Sequence, residues 1–221
     1  MKKLLLSVVF SVLYILPTSA EMGINVGFSG NAGIFAASAH EKHTNTNGKT
    51  NNGSEHGSAG WGSIFIEKTL GDMLLVGIDY VPQALESDTT ETAKSDKRTA
   101  ASDAISASTN KIQVDFENLT TMYLGARMGE NFYAKVGVMT VDVITNESLG
   151  TGGSYGNADL DGSMFGLGFN HSTDNGAFLR VEGNYMSFDG VTRTNSDDSE
   201  KQIKLKNLDG VSGKISVGKS F

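Results

Sequence analysis

The stretch GKISVGKSF, residues 213–221, alternates strictly. Gly213, Ile215, Val217, Lys219 and Phe221 fall on one side, and Lys214, Ser216, Gly218 and Ser220 on the other. A period of two marks a β-strand with two unlike faces. Polar, fraying segments are the rule at chain ends, so a strand finishing on an aromatic ring asks for a partner strand that holds it.

Seven further segments upstream share this texture. They are INVGFSGNAGIFA (24–36), WGSIFIEK (61–68), MLLVGIDYV (73–81), KIQVDFENLTTMYLGAR (111–127), FYAKVGVMTVDVIT (132–145), GSMFGLGFNH (162–171) and AFLRVEGNYMSF (177–188). The eighth runs over Ile203–Phe221. In the fifth, the phase blurs after Met139, which suggests a bulge there. Tight turns are expected at Leu70-Gly71-Asp72, at Gly129-Glu130-Asn131 and at TDNG, where Asn175-Gly176 tolerates positive φ. Long polar connections are expected at about 41–57, 82–110, 146–159 and 190–202. Short and long connections take turns, which is the pattern of an up-and-down barrel with turns at one rim and long loops at the other. The fold class read from this is all-β, an eight-stranded antiparallel up-and-down transmembrane β-barrel.

The opening residues, MKKLLLSVVFSVLYILPTSA, have the form of a secretory signal peptide over 1–20. They show a basic start, a short apolar run, a proline and small residues before a cleavage position. Removing Lys2 and Lys3 with it leaves 16 basic against 25 acidic residues, net −9, for the barrel at 21–221. That balance argues against nucleic acid as a partner. The chain has no cysteine, so disulfides contribute nothing to an exported fold.

The direction of the apolar face decides between membrane and soluble barrels. The opposite face carries Asp115, Glu117 and Arg127 on the fourth segment, Lys135 on the fifth, Arg180 and Glu182 on the seventh and Lys214 on the eighth. Glu67 and Asp79 join them. With lipid outside, these charges must pair inside the lumen. Gly27, Gly77, Gly137, Gly166, Gly168 and Gly218 share that face, and a narrow lumen needs small residues between charged ones whereas a solvated surface does not. Trp61, Tyr80, Tyr123 and Tyr185 are candidates for interfacial girdles, with ordinary strand packing as the alternative.

On these residues the chain resembles the small eight-stranded outer-membrane β-barrels of the opacity-protein and outer-membrane-protein-A-like kind. The resemblance implies an outer-membrane location and contact with outer-membrane lipid. It also implies a final strand read by the outer-membrane assembly machinery, carried by Ile215, Val217 and Phe221, with Lys219 departing from the pattern.

Chemistry of other kinds finds no footing. NADLDG (157–162) has alternating oxygen ligands, but Gly168 stands where a calcium loop needs an acid. His40, His43 and His56 lie in an Asn- and Gly-rich stretch without a second shell. No metal, cofactor or catalytic set is expected, and the protein reads as a non-enzyme. Three functions stay in view: a structural anchor displaying four loops to an unidentified extracellular ligand, a narrow passive pore for small solutes, and a soluble periplasmic lipocalin-like carrier. An eight-stranded barrel is just wide enough for its own side chains, which favours the first over the second.

Overall fold

A computed structural model describes residues 23–42, 50–97 and 105–221. The expected signal peptide at 1–20 and His43 lie outside the described residues. The described residues form ten strands: β1 (Ile24–Lys42), β2 (Thr50–Leu70), β3 (Leu74–Tyr80), β4 (Leu85–Glu86), β5 (Thr90–Lys97), β6 (Ile105–Met128), β7 (Phe132–Leu149), β8 (Ala158–Ser172), β9 (Ala177–Thr194) and β10 (Gln202–Ser220). Eight of them close a ring in the order β3-β2-β1-β10-β9-β8-β7-β6, with β3 pairing β6; β4 and β5 continue the β3 stave by pairing with β6 above it. All pairings are antiparallel.

The C-terminal strand closes the ring. β10 pairs β1 along its whole length, and Phe221 and Ile24 exchange backbone hydrogen bonds of 2.9 and 3.1 Å. Following directly paired residues once around the ring, from Val26 through Ile66, Ile78, Met122, Val138, Ser163, Ser187 and Asp209, returns to β1 at Ala36, ten residues higher. Such a stagger over eight strands tilts them by about 40°. The three tight turns fall at one rim, each with a glycine at positive φ: Gly71, Gly129 and Gly176.

Side-chain direction follows the alternation. Outward rows include Val26 and Phe28 on β1, Ile64 and Ile66 on β2, Phe132, Val136 and Val138 on β7, Phe165, Leu167 and Phe169 on β8, and Val211, Ile215 and Val217 on β10, all exposed. Charged residues bound this belt: Asp142, Asp161, Asp189 and Asp209 above, Lys68 and Lys219 below. From Lys219 to Asp209 is ten residues of β10, about 33 Å along the strand and about 25 Å along the axis at this tilt. That matches the apolar band of a transmembrane barrel, about 25 Å. A soluble carrier with its apolar face inside is incompatible with this surface.

The strands run far into the stretches expected to be loops. β2 begins at Thr50, β5 and the start of β6 form a ribbon across much of 82–110, and β7, β9 and β10 reach Leu149, Thr194 and Gln202. Above the membrane both faces of a hairpin meet water, so the apolar period disappears while the backbone ladder continues.

Two bulges reset the phase. One lies between Glu117 and Thr120 on β6, opposite an uninterrupted β7, and the other displaces Lys206 of β10 opposite Ser38/Ala39. The bulge expected after Met139 is therefore on the neighbouring strand. Asn118 sits at φ 54° in the β6 bulge, held by Tyr80 Oη at 3.1 Å and donating to Asp142 at 3.0 Å. Asn118→Val should lose both bonds and strain the backbone, lowering stability by about 1–3 kcal/mol. Urea titration in detergent measures it, and an unchanged midpoint would contradict this account.

Candidate functional site

The inward rows stack in two tiers. On β7 the row reads Tyr133, Lys135, Gly137, Met139, Val141 from the turn rim upward, and on β9 it reads Phe178, Arg180, Glu182, Asn184, Met186, Phe188. On β2 it reads Glu67, Phe65, Ser63, Trp61. Charged and aromatic residues come first, apolar ones after.

The lower tier is an ion-pair cluster. Lys135 Nζ lies 2.6 Å from Glu182 Oε2, Arg180 Nη1 lies 2.6 Å from Glu67 Oε1, and Lys214 pairs with Asp79. Tyr133 Oη donates to Glu182 at 2.5 Å, Tyr123 Oη to Glu67 at 2.7 Å, Asn25 Nδ2 to Glu67 at 3.2 Å and Ser63 Oγ to Asp79 at 3.2 Å. Arg180 Nε donates to Asn170 at 2.8 Å. Three cations meet three anions, so the cluster is neutral as a unit. Excellent geometry and further hydrogen bonds are what make buried pairs tolerable.

Aromatic rings complete the tier. Arg180 stands 4.4 Å from the Phe178 ring centroid, and Lys135 4.5 Å from that of Tyr123. Each of four rings covers a glycine directly opposite: Phe65 over Gly27, Tyr123 over Gly77, Tyr133 over Gly168 and Phe178 over Gly218. A Cβ at Gly168 would lie 2.3 Å from the Tyr133 ring. The lumen glycines therefore make room for flat rings as well as for charges.

Lys135, Arg180, Glu182 and Lys214 are brought together, with Glu67 and Asp79. Asp115 and Glu117 are not. The β6 bulge reverses their phase, so they face outward above the belt, where Asp115 accepts a 2.6 Å hydrogen bond from Asn146. Arg127 keeps the inward phase but sits half-buried beside the β6–β7 turn, outside the cluster. Ile215, Val217 and Phe221 all face outward and are exposed.

Sequence reasoning missed the upper tier. Trp61, Val81, Leu119, Met139, Val141, Leu160, Met164, Met186 and Phe188 form one buried interior group, with Phe35 and Phe116 packed against it. Trp61 and Tyr123 are thus inside rather than in a girdle, whereas Tyr80 and Tyr185 face outward. The signal was present on β7. Met139 and Val141 continue the inward row of Lys135, and the blurred phase was an apolar interior.

Above the barrel, the β7–β8 and β9–β10 loops interlock. Ser196 N donates to Ser154 O at 2.8 Å and Ser154 N to Ser196 Oγ at 3.0 Å. Asn195 Nδ2 donates to Gly152 O at 3.1 Å, and the buried Lys201 reaches Thr151 O at 3.3 Å. Thr151 is tied in turn to Asn110 of β6. Asn157, first in the calcium-like stretch, accepts from Thr145 N at 2.9 Å. His40 bonds Asn52 across the β1–β2 ribbon, and Lys94 of β5 pairs with Glu41 of β1.

Comparison with known proteins bears on the fold. The chain is similar to the outer membrane protein AlkL as determined in lipid bilayers, with TM-score 0.50, 14% identity and 93% of each chain covered. Weaker likenesses are to the outer membrane protease OmpT of Escherichia coli (TM-score 0.47, 9% identity, 93% of this chain and 99% of that one) and to the outer membrane protein OprG of Pseudomonas aeruginosa (0.45, 13%, 88% and 96%). No protein family matches by its sequence profile, and no curated protein matches in sequence. The fold is that of the small outer-membrane β-barrels.

Proposed function

We propose that the protein is a non-catalytic outer-membrane anchor that displays its hairpin ribbons and interlocked loops to the medium, where they bind a partner. The observation that carries this reading is the lumen, filled by a neutral ion-pair cluster inside an outward apolar belt. A filled lumen supports an anchor over a pore. In the same reading the belt contacts outer-membrane lipid, the chain is exported by a leader cleaved after residue 20, and the outward row Ile215, Val217, Phe221 is engaged by the assembly machinery. Fractionation of cells, with gel mobility compared before and after heating, tests it. The folded barrel should partition with the outer membrane and migrate differently once boiled, and recovery in the soluble fraction would refute it.

Topology has its own test. Lys204 and Lys206 are exposed on β10 above Asp209. The chain has no cysteine, so Lys204→Cys or Lys206→Cys should be labelled on intact cells by an impermeant thiol reagent. Complete protection would invert the proposed orientation.

A further inference from the structure

Between the two interior tiers lies a cavity of about 40 Å³, lined almost wholly by side chains that are buried in the lumen. Asp79, Lys135, Glu182 and Lys214 line it from the turn side, and Trp61, Val81, Met139, Met164 and Met186 from the loop side. Asn184 and Ser212 lie on its wall. Asn184 Oδ1 is buried there with no hydrogen-bond partner among the described residues. A cavity of this size has room for a few water molecules, the charged groups on its turn side offer them partners, and the buried Asn184 carbonyl calls for one.

We infer that the lumen is sealed twice in series, by the charged tier and by the apolar tier, with a hydrated chamber between them that neither the medium nor the periplasm reaches. The two seals work by different physics. The charged tier blocks by occupancy: six paired side chains and four rings fill the cross-section. The apolar tier blocks by refusing water, as hydrophobic constrictions in channels do. Its three methionines are unbranched and fill irregular space without needing partners. Because the barriers are in series, opening either one alone connects the chamber to one side only. This goes beyond the anchor reading, since it holds for any role of the loops.

Sidedness of access tests the inference. Ser212→Cys places a single thiol on the chamber wall of a chain with no other cysteine. The protein is reconstituted in vesicles, with orientation checked by protease trimming of the loops. Silver ion is offered from the outside or loaded inside, and remaining thiols are counted after denaturation. With both tiers intact, the thiol should react slowly from either side. The variant Met139→Ala/Met164→Ala/Met186→Ala should speed reaction from the loop side by an order of magnitude or more and leave the other side unchanged. The paired variant Lys135→Ala/Glu182→Ala, which leaves no lone charge of that pair, should do the reverse. Planar-bilayer recording should show conductance only when the two sets are combined. Access from both sides, or conductance, in a single-tier variant would overturn the proposal. So would a combined variant that keeps folded gel mobility yet stays closed. If the combined variant does not fold, the two single-tier variants decide by sidedness alone.

Discussion

Arg180→Met should destabilise the folded barrel by about 3–5 kcal/mol, the usual result of removing one partner of a buried ion pair. The methionine keeps an apolar stem against Phe178, so packing is largely preserved. What is lost is the 2.8 Å hydrogen bond to Asn170 and, above all, the 2.6 Å contact to Glu67, which is buried at 2% exposure and among the described residues keeps Tyr123 at 2.7 Å and Asn25 at 3.2 Å. An uncompensated carboxylate in the lumen then carries most of the cost. Glu67→Met combined with Arg180→Met should recover most of the loss, because an apolar pair of similar volume has no charge to desolvate. Urea titrations of the wild type, both singles and the double in the same lipid measure all four corners. A single variant within about 1 kcal/mol of wild type, the worth of an exposed pair, would mean that the cluster is hydrated.

Val136→Arg should cost about 2–4 kcal/mol in a bilayer, the penalty for a cation on the lipid face near the midplane. Val136 is 57% exposed and sits between Leu124 and Phe165 at the middle of the belt. Thr140→Arg, two outward positions higher on the same strand and next to Asp142, should cost about 0–1 kcal/mol, as near an interface. The contrast between the two positions is the measurement, because neither substitution enters the lumen. Equal costs would show that the belt has been set at the wrong height.

Much of this architecture is legible in the chain. Lys135, Arg180, Glu182 and Lys214 are each assigned to the lumen by the phase of their own strand, because alternation is a local property and lipid outside admits only one sign of face. Asp115 and Glu117 fail by the same logic. They lie nine or fewer residues from the inward Tyr123, but two residues of β6 at the bulge stand opposite one of β7, and every side chain above it changes face. Asn118 hints at this only through its tolerance of positive φ, a weak signal in a stretch rich in polar residues.

The sequence by itself determined the eight staves, the three tight turns, the outward belt and most of the lumen charges, since each rests on a period of two within one strand. Only the tertiary structure decided which charges pair. Arg180 meets Glu67 across 113 residues of chain, and that contact depends on the ten-residue stagger with which the ring closes. It also decided that Trp61, Met139, Met164 and Met186 form a second tier. An apolar side chain on an inward row looks like an error of phase until the barrel is closed, and closure then makes it the dry half of the lumen.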